Sequence, residues 1–240
     1  LTVRVLNAEA KSQIRLKELI RYYGEKQMKV LLISVNTEQI NMPVLPLGMA
    51  CIAAASRNAG HEVKRLNLIT KDDTRSILSD SVKGFSPEII GISVRNIDDQ
   101  SMESPRFLLD SVKKIVAECQ SLSDAAIVLG GAGYSIFPQS ALDYLGADMG
   151  IQGEGEYSFV MLLQQLEQKR DISEIPGLWV SGTGLQREIR RSENLDEFIL
   201  PLPNIHIKIP SELKNEEIWM PFQTPPRMSH ELQLLLYCNN

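Results

Sequence analysis

The chain is 240 residues long, 43% hydrophobic and 23% charged, which fits a globular protein with a full-sized core, either one large domain or one of about 150 residues with attachments. Its formal net charge of −5 gives no support for nucleic acid as the main partner, and no apolar run approaches the ~20 residues of a membrane span or opens the chain as a secretory signal. Cys51, Cys119 and Cys238 are scattered thiols without paired or metal-ligand spacing, which argues for a reducing cytoplasm and against a disulfide framework.

Residues 1–27 stand apart. Ile14, Leu16, Leu19 and Ile20 lie among Lys and Arg and make at best a short amphipathic helix. The chain opens on Leu1, whereas Met28 leads straight into KVLLISV. The expectation is that the native domain starts at Met28 and that residues 1–27 are a leader or translated upstream sequence, with a genuine helical extension as the rival.

From Met28 strand and helix alternate. Lys29–Val35 is an apolar first strand, and Leu47–Asn58, rich in Ala and closed by Gly60, is a helix. Glu62–Leu68 is a second strand, Thr74–Val82 a short helix, and Ile89–Val94 a third strand after the Ser86-Pro87 turn. Pro105–Cys119 is a helix with apolar residues at Phe107, Leu108, Val112, Ile115 and Val116. Ala126–Leu129 and Met149–Gln152 are strands four and five, followed by helices over Gln139–Leu145 and Tyr157–Gln168. Short apolar strands separated by helices predict an α/β, flavodoxin-like (Rossmann-like) domain over residues 28–170: a five-stranded parallel sheet in the order 2-1-3-4-5 with helices on both faces.

Beyond Asp171 the rhythm changes. Leu178–Val180 and Gln186–Ile189 flank Ser181-Gly182-Thr183-Gly184 as a β-hairpin. Pro201, Pro203 and Pro210 then punctuate LDEFILPLPNIHIKIP, so residues 171–224 read as a hairpin and a proline-rich linker toward another domain.

Function is expected at the carboxyl edge of the sheet. Strand four ends in Gly130-Gly131-Ala132-Gly133 and strand five in Gly153-Glu154-Gly155-Glu156, both where a helix must begin. Glycine there lets backbone N–H groups approach a phosphate or amide, and a helix N-terminus favours negative charge; tight turns alone are the plainer reading. A phosphoacceptor domain would need an acidic pair after strand one and an aspartate ending strand three, but the chain has Ser34-Val35-Asn36-Thr37 and Ser93-Val94-Arg95-Asn96. A flavin site would want a Ser/Thr-rich loop in place of Asn41-Met42-Pro43-Val44, and no Gly-x-Gly-x-x-Gly follows the first strand.

In order and spacing, PLGMACIAAASRNAGHEV, PEIIGISVRN, VLGGAGYSIFP and GEGE resemble the N-terminal domain of cobalamin-dependent radical S-adenosylmethionine enzymes, over roughly Met28 to Trp219. The resemblance implies a corrinoid module whose strand-end loops hold the nucleotide tail and one face of the corrin. Carried residue by residue, it marks Asn36, Leu47 and Gly48 after strand one, and Ser93, Arg95 and Asn96 after strand three. It also marks Gly130, Gly131, Gly133 and Tyr134 after strand four, and Gly153, Glu154 and Gly155 after strand five. Each has a structural alternative: close helix packing for Gly48, caps or turns for Ser93 and Asn96, a surface ion pair for Arg95, a helix-dipole partner for Glu154, and a core aromatic for Tyr134. Domains that coordinate cobalt from below carry Asp-x-His-x-x-Gly after the first strand, which this chain does not have there. His61 falls on the opposite sheet edge, in a capping or solvent role. The implied cofactor is base-off cobalamin with no protein histidine ligand.

The family pattern continues after the linker with Cys-x3-Cys-x2-Cys, three thiolates holding a 4Fe-4S cluster that binds S-adenosylmethionine. After IWMPFQT this chain reads PPRMSHELQLLLYCNN. Synonymous codons for Pro225–Tyr237 can be chosen so that a one-base shift reads Arg-Arg-Gly-Cys-Pro-Met-Asn-Cys-Ser-Tyr-Cys-Cys, with cysteines where Met228, Leu232 and Leu235 stand. Residues 225–240 are therefore expected to be a frame-shifted tail on a truncated product, with a short native helix over Glu231–Leu236 as the alternative; sequencing the encoding DNA decides between them. The functional expectation is the cytoplasmic cobalamin-binding module of a radical methyltransferase or related corrinoid-assisted enzyme. The radical barrel stands in cis, the cluster and S-adenosylmethionine belong to full-length relatives, and the chain alone is inactive. A stand-alone corrinoid-binding or sensing domain, or a flavodoxin-like domain for another phosphate-bearing ligand, are the alternatives.

Overall fold

The computed structural model describes residues 27–36, 46–68, 73–99 and 103–190. The expected leader over 1–27, except for its last residue, the proline strap and the 225–240 tail lie outside the described residues.

The apolar runs become strands. β1 (Lys29–Ser34), β2 (Glu62–Asn67), β3 (Ile89–Ser93), β4 (Ala126–Gly130) and β5 (Met149–Ile151) pair in parallel in the expected order β2-β1-β3-β4-β5. The central strands are buried along nearly their whole length, as strands covered on both faces must be, while edge strand β2 exposes Glu62 and Lys64. Side chains alternate between the two faces. Leu31, Ile33, Ile90, Ile92, Ile127 and Leu129 pack under α2 (Thr74–Phe85), α3 (Leu109–Leu122) and α5 (Pro138–Leu145). Val30, Leu32 and Val128 pack on the other face, under α1 (Leu47–Asn58) and α6 (Gly155–Glu167). A short helix, α4 (Ala132–Ile136), follows β4 directly.

Two elements differ from expectation. The hairpin does not leave the domain: β6 (Leu178–Val180) pairs antiparallel with β5, and β7 (Gly184–Leu185) with β6, so the sheet has seven strands. Its turn is also tighter than expected, because the Thr183 N–H donates to the Val180 carbonyl and Gly184 already pairs with Val180. The helix expected from Pro105 begins at Leu109. Arg106 donates from its backbone N–H (2.9 Å) and its Nε (2.8 Å) to the buried Asp99 carboxylate, and Phe107 bridges to Asp98. Those bonds hold the segment as a return ribbon until the helix can start.

His61 also departs from expectation. It lies on the amino edge of the sheet but is only 5% exposed, and neither ring nitrogen has a hydrogen-bond partner among the described residues. Burial holds its pKa below the usual 6.5, against the opposing pull of the Glu88 carboxylate. Above the ordinary histidine pKa both the folded and unfolded forms are neutral there. As pH falls through 6.5 the unfolded chain takes a proton that the folded one does not, so stability drops until the lowered folded pKa is reached. Urea midpoints should therefore fall with pH below 6.5, and His61→Leu should flatten that slope. An unchanged slope in the variant would assign the acid sensitivity elsewhere.

Candidate functional site

Parallel pairing brings the carboxyl ends of β1, β3, β4 and β5 to one edge. β2 and β3 lie on opposite sides of β1, so the connections diverge there, and open α/β sheets leave a crevice at such a point. On the face carrying α1 and α6 this crevice is a cleft of about 560 Å³. Leu32, Gly91 and Val128 form its floor, Met49 and Ile52 of α1 one wall, and Phe159 of α6 the other. The depth depends on Gly91. A Cβ added there would lie 2.6 Å from a Leu32 methyl and 3.6 Å from the Phe159 ring.

The mouth is polar. α1 and α6 both begin at it, and neither N-cap residue, Pro46 or Glu154, makes a side-chain capping bond. The first-turn N–H groups of two helices of 12 and 13 residues thus lie at the cleft without a capping side chain. Glu154, Glu156 and Arg190 bring mixed charge. The Cys51 thiol is pushed up by burial and then by the Glu156 carboxylate, so it stays protonated and unreactive at neutral pH.

Among the residues marked by resemblance, Gly48, Ser93, Gly130, Gly131, Gly153, Glu154 and Gly155 converge on this cleft. Asn36, Leu47, Arg95, Asn96, Gly133 and Tyr134 do not line it. The last two turn inward for a backbone reason. Val94 donates its N–H to the Gly130 carbonyl (2.7 Å), and its own carbonyl accepts the N–H groups of Gly133 (3.0 Å) and Tyr134 (3.4 Å). A Cβ on Gly133 would come within 2.8 Å of the Arg95 carbonyl oxygen, so this glycine admits the exit of β3 and not a ligand. Tyr134 is fully buried in the core, where burial raises its pKa. Nor is every rim amide bare: the Gly153 N–H donates to Ser135 Oγ at 3.0 Å.

The apolar walls escaped the sequence reading because Met49, Ile52 and Phe159 look like ordinary core positions of amphipathic helices. Ser135, Gln152, Ile189 and Arg190 also line the cleft, and the last two arrive only through the fold of the hairpin. Among the described residues no group of three or more His, Cys, Asp or Glu side chains could hold a metal ion.

Residues 33–163, more than half of the chain, match the family model described as the B12 binding domain. The chain belongs to the B12-binding domain family. The match runs from within β1 to within α6 and so takes in both walls and every strand end of the cleft. This B12-binding domain is similar to the tryptophan 2-C-methyltransferase of Streptomyces laurentii, with 32% identity over 150 residues that cover 61% of this chain and 25% of that protein. It is also similar to the cytidylyl-2-hydroxyethylphosphonate methyltransferase of Streptomyces wedmorensis, with 29% identity over 150 residues, 55% of this chain and 27% of that protein. The chain spans about a quarter of the length of these two curated relatives. Among solved structures, the radical S-adenosylmethionine methyltransferase TsrM from Kitasatospora setae, with cobalamin and a 4Fe-4S cluster bound, aligns at TM-score 0.62 and 30% identity over 66% of this chain and 30% of that one. The cobalamin-dependent radical enzyme OxsB aligns at TM-score 0.55 and 18% identity over 72% of this chain and 23% of that one, a likeness of fold for the B12-binding domain.

Proposed function

We propose that the cleft holds base-off cobalamin by its nucleotide tail and one corrin face, and that the chain is the cofactor module of a radical S-adenosylmethionine methyltransferase whose catalytic barrel acts in cis. One observation carries this reading: the family-matched carboxyl edge opens into a cleft with an apolar floor and a polar, glycine-bordered mouth. That combination suits a ligand with a flat hydrophobic end and many peripheral amides. Leu32, Val128 and Phe159 would exclude water from the hydrophobic end, while Ser93 and Glu154 offer hydrogen-bond partners to amides. Cobalamin, once bound, supplies cobalt as a carrier of methyl groups or electrons. Among the described residues no imidazole is assigned to the cobalt, since His61 sits on the far edge of the sheet. The free thiols Cys51 and Cys119 support a cytoplasmic location, and no helix among the described residues is long and apolar enough to cross a membrane.

Hydroxocobalamin mixed with the protein should survive desalting and give corrin bands of base-off shape; a colourless protein overturns the reading. A Cβ added at Gly48 meets nothing within 4 Å, so Gly48→Leu puts bulk into open space at the cleft without disturbing the fold. That variant should lose corrin retention to background at an unchanged melting temperature. Iron and sulfide binding by a full-length protein, with cobalamin-dependent methyl transfer from S-adenosylmethionine, tests the enzymatic half; a full-length protein without a cluster overturns it.

A further inference from the structure

We propose that Gln152 and Trp179 are positioning residues for the cofactor site, which makes the β6–β7 hairpin a working part of that site. This rests on the cobalamin reading. Gln152 follows β5 at the cleft mouth and is held from two elements at once. On the hairpin side, its backbone N–H donates to the Gly177 carbonyl at 2.9 Å, and its Oε1 accepts from Trp179 Nε1 at 3.1 Å. On the other side, its Nε2 donates to the Ser135 carbonyl at 3.2 Å. Ser135 carries the connection onward. Its hydroxyl donates to the Gly131 carbonyl at 2.9 Å and accepts the Gly153 N–H at 3.0 Å.

Through Ser135, which takes one bond on its carbonyl and makes the others with its hydroxyl, the hairpin indole is thus connected to both glycine turns of the cleft. The chemistry of the links is directional. An indole N–H can only donate and a backbone carbonyl can only accept, so the two neighbours fix the orientation of the Gln152 amide. A glutamate would satisfy the indole but set a carboxylate oxygen against the Ser135 carbonyl. These bonds are additional to the sheet, because β5 and β6 already pair through residues 149–151 and 178–180. A second observation points the same way. Leaving the hairpin, the chain bridges Pro176 to Arg187, places a methyl of Ile189 3.2 Å from where a Gly153 Cβ would stand, and contributes Arg190 to the cleft.

If the indole orders the turns, ligand binding and the Trp179 bond are linked, and each strengthens the other. Trp179→Phe keeps an aromatic ring for packing and removes the donor; Ser135→Ala cuts the next link. With hydroxocobalamin as the probe, each should weaken retention about tenfold, the scale of one lost hydrogen bond. Ser135→Thr, which restores the hydroxyl, should recover most of what Ser135→Ala loses. The Trp179→Phe/Ser135→Ala double variant should lose less than the product of the two, since both break the same connection. Without ligand, amide hydrogen exchange over residues 131–136 and 152–156 should quicken in Trp179→Phe. Wild-type affinity in that variant, equal losses for Ser135→Ala and Ser135→Thr, or unaltered exchange would each overturn the positioning role. A wild-type protein that retains no hydroxocobalamin brings down the cobalamin reading instead, and the exchange measurement still decides whether Trp179 orders the turns.

Discussion

Gly131→Ala should unfold at markedly lower denaturant and lose corrin retention at the same time. Gly131 sits at φ 97° and ψ 171°, a region all but closed to residues with a Cβ, and forcing one into it costs about 1–3 kcal/mol. The added Cβ would also stand 2.5 Å from the Val94 carbonyl oxygen and 3.1 Å from its nitrogen. Those atoms are not free to move, because the N–H of Val94 is bonded to Gly130 and its carbonyl to Gly133 and Tyr134. The exit of β3 and the turn after β4 are locked together there, so neither yields alone. The expected loss is about 3–4 kcal/mol, read from the urea midpoint. Gly130→Ala is the control: its Cβ would meet only the Ile151 carbonyl oxygen, at 3.9 Å, and the cost should stay under about 1 kcal/mol. Equal midpoints for the two variants would sink the account.

Gly150→Ala is the second severe substitution. The Tyr134 hydroxyl and the ring carbon bearing it occupy the space where a side chain on Gly150 would begin. Tyr134 is fully buried and cannot swing out, so the alanine has to displace either the ring or β5. Overpacking of that kind should cost about 3 kcal/mol. Tyr134→Leu, whose side chain stops short of the strand, should make Gly150→Ala much less costly, a non-additivity expected of residues in contact. Tyr134→Phe gives no such relief, since the ring stays in place. It should itself be near neutral, because the hydroxyl it removes has no partner among the described residues. An undiminished alanine penalty in the leucine background would mean that something other than Tyr134 obstructs position 150.

The parallel sheet was legible because its strands are short apolar runs between helices: Lys29–Ser34 and Ile89–Ser93 stand within one residue of where hydrophobicity places them. Elements set by contacts distant in sequence were not. α3 starts late because Arg106 reaches back to Asp99, a pairing that no periodicity announces. β6 reads as a free hairpin strand, since nothing local tells Leu178 that it will face Ile151. The same division runs through the site. Glycines at strand ends pointed to the carboxyl edge, where the cleft opens, and most of those marked line it. Yet a Gly-Gly-Ala-Gly-Tyr run looks alike whether its glycines admit a ligand or another backbone, and only the fold reveals that Gly133 serves Arg95 and that Tyr134 belongs to the core.

The two ends of the sheet have a consequence for handling the protein. An open strand edge is a template on which a second copy can pair. Here one end is β7, two residues long, and the other is β2, which turns Glu62 and Lys64 to solvent beside Arg65. Neither gives a second copy a long uncharged edge to extend. Self-association of the described residues therefore has to start from exposed apolar side chains such as Ile136, Phe137 and Tyr157, at the strand-exit side of the domain. Aggregation would then be governed by the surface around the cleft, and replacing those three side chains by polar ones should curb it where redesigning the strands would not.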